Sequence, residues 1–134
     1  MEDCNTQRNL SDEGRQQAKN IGRLFHSNKI DTAILYSSQW CRCLETSRLL
    51  NLGKVAELPA LNSFFENPDR GLIQTKALLK WVRSAPLKKP TVLVSHQVNI
   101  EALTEVSADS GEIIFVRRLV DGSLSVIGSI QTLD

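Results

Sequence analysis

Two side chains in this sequence stand where chemistry on an anion is expected, Arg42 and His96. Arg42 lies in Ser37-Ser38-Gln39-Trp40-Cys41-Arg42-Cys43-Leu44-Glu45-Thr46. An apolar run, Thr32-Ala33-Ile34-Leu35-Tyr36, precedes that stretch and reads as a buried strand. Trp40, Cys43, Leu44 and Ser47 then follow the i, i+3, i+4, i+7 spacing of a helix face. Arg42 therefore falls in the first turn of a helix, off its apolar side. Free backbone N–H groups and the positive end of the helix dipole favour an anion there. A guanidinium beside them adds a planar, permanently charged fork suited to a phosphate. His96 comes at a second junction of the same kind, where Thr91-Val92-Leu93-Val94 runs into Ser95-His96-Gln97. In open α/β sheets ligands collect just beyond the carboxyl ends of the strands. Both residues sit at such ends, so they are expected to meet over one pocket.

The elements that must position them follow from periodicity and punctuation. Residues 1–9 are polar and loop-like. Ser11 is a candidate N-cap with Asp12 and Glu13 in the first turn. Ala18, Ile21, Gly22 and Phe25 then predict a helix over 12–27. Gly14 costs that helix stability against Ala, and close packing is the expected reason. A strand is predicted over 30–38, a helix over 39–50 and a helix exit at Leu52-Gly53. A short strand over 55–61 carries Pro59 and so belongs at a sheet edge. Residues 62–70 form a loop with Asn67-Pro68-Asp69. A helix over 72–85 turns Leu78, Trp81, Val82 and Ala85 to the core, and Pro86 to Pro90 ends it. The strand over 91–95 is the most apolar and is expected at the centre of the sheet. Val98, Ala102, Leu103 and Val106 predict a further helix. Strands over 112–119 and 123–130 flank Asp121-Gly122, a strong hairpin signal. The order is βαβα closed by a hairpin, a single α/β domain over 1–134 without repeat or linker.

Composition narrows the partners. The 134 residues carry a net charge of +1, so there is no electrostatic case for nucleic acid or an anionic membrane surface. No apolar run approaches membrane-spanning length. No secretory leader precedes the first polar residues, and a cytoplasmic location is expected for the chain as written, periplasmic if an upstream segment is missing. Cys4, Cys41 and Cys43 are an odd number, and Cys41 and Cys43 are too close for a good disulfide. All three are expected to be reduced and non-catalytic, which favours a reducing compartment. No metal-ligand spacing is visible and no cofactor is implied. Trp40 and Trp81 read as core aromatics, His26 as a rim residue of the first helix, Lys88-Lys89 as a solvated turn and Arg117-Arg118 as a strand face meeting water. The bland alternatives for the two chemical residues are a surface ion pair of Arg42 with Glu45 or Glu13, and a histidine that caps the next helix.

Three motifs together resemble the histidine phosphatase superfamily, also called phosphoglycerate mutase-like. Leu10-Ser11-Asp12-Glu13-Gly14-Arg15-Gln16-Gln17-Ala18 is similar to the family's Leu-Thr-x-x-Gly-x-x-Gln-Ala helix opening. Residues 37–46 resemble its Ser-Ser-x-x-x-Arg-x-x-x-Thr segment. Val92-Leu93-Val94-Ser95-His96 resembles its late strand ending in Ser-His or Thr-His. Residues 3–10 together with Leu61-Asn62-Ser63-Phe64-Phe65 resemble a bacterial subgroup. The resemblance implies a three-layer α/β/α sandwich with a mostly parallel central sheet and a C-terminal hairpin. It also implies a metal-free phosphomonoester hydrolase in which one histidine attacks phosphorus and water hydrolyses the phosphohistidine, while two arginines and a second histidine hold the phosphoryl oxygens. By position Arg42 matches a phosphate-binding arginine and His96 the second histidine. Arg8 is a candidate further phosphate contact.

The chain also departs from that pattern. The family's nucleophile ends a first strand that precedes the Leu-Thr-x-x-Gly motif. Here only residues 1–9 precede the motif, with neither strand nor histidine among them. The family's proton-donor Glu, two residues after the leucine matching Leu61, is Ser63 here, with Glu66 as a nearby stand-in. The expectation is therefore a histidine phosphatase-like domain, N-terminally shortened or degenerate, that acts on phosphate or a phosphorylated small molecule with impaired turnover. The alternative is a non-catalytic phospholigand-binding domain. Unpaired strand edges left by the missing strand predict self-association.

Overall fold

The computed structural model describes residues 4–7, 9–109 and 111–131. A single 3-10 turn over Cys4–Thr6 precedes α1 (Asp12–Ser27). Ser11 caps α1 as its sequence predicts, its Oγ accepting the Gly14 N–H at 3.0 Å. Then come β1 (Ile34–Ser37), α2 (Cys41–Leu49), β2 (Val55–Glu57), α3 (Gly71–Ser84), β3 (Thr91–Val94), α4 (Gln97–Thr104), β4 (Ile113–Arg118) and β5 (Leu124–Ile130). Pro59 ends the strand predicted over 55–61 early, and Pro59–Leu61 is a 3-10 turn. The Val106 end of the last predicted helix is cut off at Glu105, which takes a left-handed conformation.

The first three strands form a parallel sheet in the order β2-β1-β3. Alternation along the strands assigns the layers, because successive side chains point to opposite faces. Leu35 of β1 joins Ile21, Leu50 and Leu52, with Phe25, Val55, Val92 and Val94 packed around them. Its neighbour Tyr36, with Leu93 of β3, faces Leu61, Leu78 and Val82. Thus α1 and α2 cover one face and α3 and α4 the other, giving the expected three layers. Leu35, Leu52 and Leu61 are each 1% exposed, and such burial contributes about 2 kcal/mol per side chain. Gly22, rather than Gly14, marks the tightest approach between helices. A Cβ on Gly22 would run into the Leu50 carbonyl, whereas one on Gly14 would meet only the side chains of Leu10 and Ser11.

The strand expected at the centre, β3, lies at an edge. It pairs with β1 alone, and no other strand pairs with its second edge among the described residues. Its four residues are accordingly half-buried. Apolar composition reported burial on two faces but not hydrogen bonding on two edges. The hairpin β4-β5 forms as the Asp121-Gly122 signal predicts, Gly122 taking φ +87°, but it is a separate two-stranded sheet. Arg118 does not meet water as expected. Its Nη1 donates to the carbonyls of Val82, Arg83 and Ala85 at 2.6–3.1 Å, so it caps the C-terminal end of α3 and ties the hairpin to it.

The cysteine expectation is overturned. Cys4 and Cys41 form a disulfide across a sequence separation of 37, and Cys43 alone is free and buried. The inference of a reducing compartment falls with it. Spacing along the chain compared Cys41 only with Cys43, whereas the fold returns the N-terminal segment to the start of α2. By the loop-entropy relation a crosslink of this span stabilises by about 3–4 kcal/mol. Reduction with dithiothreitol is expected to lower the unfolding free energy by about that amount, read from urea melts with and without reductant.

Candidate functional site

The carboxyl ends of β1 and β3 lie side by side, with Ser37 opposite Val94 in the sheet register. The chain leaves β1 through Ser38-Gln39-Trp40 into α2, and leaves β3 through Ser95-His96 into α4. Two helix N-termini therefore open over the same strand ends, and each brings the positive end of its dipole. Trp40 is the N-cap of α2 rather than part of its helical face, and His96 is the N-cap of α4; neither caps with its side chain. The cap of α2 comes from far along the chain, because Gln7 Oε1 accepts the Cys41 N–H at 2.8 Å. The Cys4–Cys41 disulfide holds that same segment against α2.

Arg42 and His96 meet. Arg42 Nη2 lies 3.2 Å from His96 Nδ1, and the Trp40 ring lies edge-on to the imidazole at a centroid distance of 5.2 Å. Arg42 also stands 5.6 Å from the Trp40 ring centroid. On the other side of the imidazole Ser38 Oγ is 2.9 Å from Nε2, with Cys43 Sγ at 3.6 Å. Ser38 is fully buried and His96 is 6% exposed. The hydroxyl of Ser38 is 3.1 Å from Asn62 Oδ1, which also accepts the Gln39 N–H at 2.8 Å. Two buried polar atoms have no partner among the described residues, Trp40 Nε1 and Asn99 Oδ1.

Burial, and then the adjacent Arg42 charge, push the His96 imidazole down to about 4. The ring is therefore neutral near pH 7. Burial also pushes the Cys43 thiol up, more than Arg42 pulls it down, so this cysteine stays protonated and unreactive. The cluster thus carries one cation, Arg42, two helix N-termini and no carboxylate in direct contact. Its net charge is positive.

The other residues singled out by sequence fare differently. Glu45, the alternative partner for Arg42, is engaged by Arg15 at 3.0 Å. Glu66 is exposed in the loop after Asn62, and the residue of that segment that reaches the cluster is Asn62. Arg8 lies outside the described residues. His26 sits at the end of α1 between Asp31 at 3.1 Å and the Asn51 carbonyl at 3.0 Å, beside the opposite end of α2 from Arg42. An open groove of about 330 Å³ lies at that far end, lined by Lys19, Arg23, His26 and Arg48 among others. Asn62 and Ser38 lie within the motifs, but the sequence assigns neither a role. The signal available was a pair of small polar residues placed where the flanking apolar runs predict burial. Among the described residues no group of histidine, cysteine and acidic side chains is arranged to hold a metal, and no helix is long and apolar enough to cross a membrane.

The chain is an α/β/α sandwich with an arginine and a histidine gathered at its parallel strand ends. Residues 4–66, just under half of the chain, match the model of the histidine phosphatase superfamily (branch 1). Its fold is shared with solved structures. One is the product of an open reading frame of Mycobacterium tuberculosis, with a TM-score of 0.66 and 17% identity, covering 90% of this chain and 83% of that one. Another is a phosphoserine phosphatase mutant from Entamoeba histolytica in complex with phosphoserine, with a TM-score of 0.67 and 18% identity, covering 95% and 86%. No curated protein is significantly similar to the chain.

The depressed His96 has a consequence for stability. Between pH 6.5 and about 4 the unfolded chain takes up a proton that the folded chain refuses, so this contribution is present above pH 6.5 and is lost as pH falls towards 4. A shift of this size corresponds to about 3 kcal/mol, most of it lost by pH 4. His26, raised by its bonds to Asp31 and Asn51, acts with the opposite sign in the same region. Urea melts at pH 7 and pH 4 are therefore to be compared between the native chain and His96→Gln. The native chain is expected to lose about 2–3 kcal/mol more than the variant.

Proposed function

We propose that the chain binds phosphomonoesters of small molecules in a cradle built from Arg42, His96 and the N-termini of α2 and α4. One observation carries the reading: Arg42 and His96, 54 residues apart, meet at 3.2 Å where two helices begin. The family match supports a phosphatase-type enzyme at family level, and the phosphoserine of the Entamoeba relative is a ligand of the chemical class proposed. The Trp40 Nε1–H, buried without a partner among the described residues, is the kind of donor that an anion oxygen satisfies. Arriving phosphate would draw the Arg42 fork off His96, because a charged acceptor binds guanidinium more strongly than a neutral imidazole does.

Turnover is expected to be impaired in these 134 residues. Hydrolysis of the family type starts from a histidine that attacks phosphorus. His26 is remote from the cradle, and the His96 ring is buried with Nδ1 already engaged. A non-catalytic phospholigand-binding role is the second reading, favoured by that engagement. A form extended upstream by a strand ending in Arg-His is expected to hydrolyse p-nitrophenyl phosphate; if it stays inert, the hydrolase reading falls.

Titration with phosphate or vanadate tests the cradle. Arg42→Ala is expected to weaken binding about tenfold or more, the worth of a hydrogen bond to a charged group. Equal affinity of the two proteins would remove Arg42 from the site. The unpaired edge of β3 further supports self-association by strand pairing, expected as a concentration-dependent dimer in sedimentation; a monomer at the highest concentrations would count against it.

A further inference from the structure

The hydrogen bonds around His96 have directions that groups with a single role can fix. A backbone N–H can only donate, so the Asn62 atom 2.8 Å from Gln39 N is the amide oxygen. A carboxylate can only accept, so Gln39 Nε2 faces Glu57 at 3.2 Å. That leaves Gln39 Oε1 to receive Asn62 Nδ2 at 3.0 Å, and the Asn62 amide orientation is set a second time. Asn62 Oδ1 lies 3.1 Å from Ser38 Oγ, so the hydroxyl must donate to it. The Ser38 oxygen is then left as an acceptor, receiving Trp40 N–H at 3.1 Å and a proton from His96 Nε2 at 2.9 Å. With Nε2 protonated in a neutral ring, Nδ1 presents a lone pair. Arg42 can only donate, and it is at Nδ1. The string gives the same answer from both ends.

We infer that Asn62 is a positioning residue of the Arg42–His96 cradle: through the Ser38 hydroxyl it holds His96 as the Nε2–H tautomer, so that the Nδ1 lone pair faces the anion-binding arginine. The backbone around Asn62 is braced for this task. Its carbonyl accepts from Asn99 Nδ2 at 2.7 Å and from Gln74 Nε2, and Ser95 Oγ donates to the Leu61 carbonyl at 2.6 Å. Residues from α3 and α4 thereby fix the atom that sets the ring. A ligand meeting such a site finds a donor in Arg42 and an acceptor in Nδ1. That combination suits a phosphomonoester carrying one proton, whose P–OH donates to Nδ1 while its other oxygens accept from Arg42. The significance for binding rests on the proposed function, but the tautomer does not.

Nitrogen-15 NMR of histidine-labelled protein without phosphate tests the inference, because the protonated and unprotonated ring nitrogens resonate far apart. Arg42 also selects the Nε2–H form, so the measurement is made in Arg42→Ala. That variant is expected to keep His96 wholly as Nε2–H, as is Arg42→Ala with Asn62→Asp, which retains the acceptor. Arg42→Ala with Asn62→Ala leaves the Ser38 hydroxyl free to donate to Nε2, and signals of the Nδ1–H form are expected to appear. If that double variant does not fold, Ser38→Ala in the same background cuts the string one step nearer the ring with the same expected shift. Nδ1–H signals in Arg42→Ala alone, or unchanged signals after the string is cut, would overturn the assignment. A failure of phosphate binding would leave these spectra as they are, so the two proposals fail separately.

Discussion

The arrangement of the site depends on keeping a neutral imidazole buried at the end of a parallel strand. A buried ring with two nitrogens needs one donor and one acceptor, and each unmet need costs about 1–3 kcal/mol. Arg42 supplies the donor and Ser38 the acceptor, each from the chain that leaves β1. The bonds therefore join the segment after β1 to the segment after β3, across strands already in register. The sheet brings the two crossovers together, and the imidazole fixes how they face each other.

Electrostatics reinforce this geometry. Two helix N-termini and a guanidinium gather positive potential at one place in a chain whose net charge is only +1. An imidazolium there would be repelled as well as desolvated, and both effects favour the neutral ring. An incoming anion reverses the second effect. Arg42 rests on His96 and the Gln7 amide caps α2, so these donors are satisfied from within the chain.

The N-terminal segment has a structural part that its composition conceals. It is polar, and its described residues form a 3-10 turn that carries both Cys4 and Gln7 to the first residue of α2. One contact is covalent and the other caps a backbone donor. Together they attach the start of the chain to the helix that bears Arg42.

Periodicity and punctuation in the sequence were enough to place the helices, the strands to within a few residues and the hairpin, because these rest on local propensity and on which side chains avoid water, whereas the three layers were expected from the family resemblance. Arg42 and His96 were legible for the same reason, since each follows an apolar strand at a turn into a helix. Four features were settled only by tertiary structure. They are the edge position of β3, the Cys4–Cys41 bond, the capping of α3 by Arg118 and the string from Asn62 to His96. Each is a pairing between groups at least 24 residues apart, or a strand edge left without one. Local pattern tells which residues are buried, but the partner that satisfies a buried polar group is chosen by how distant segments come together.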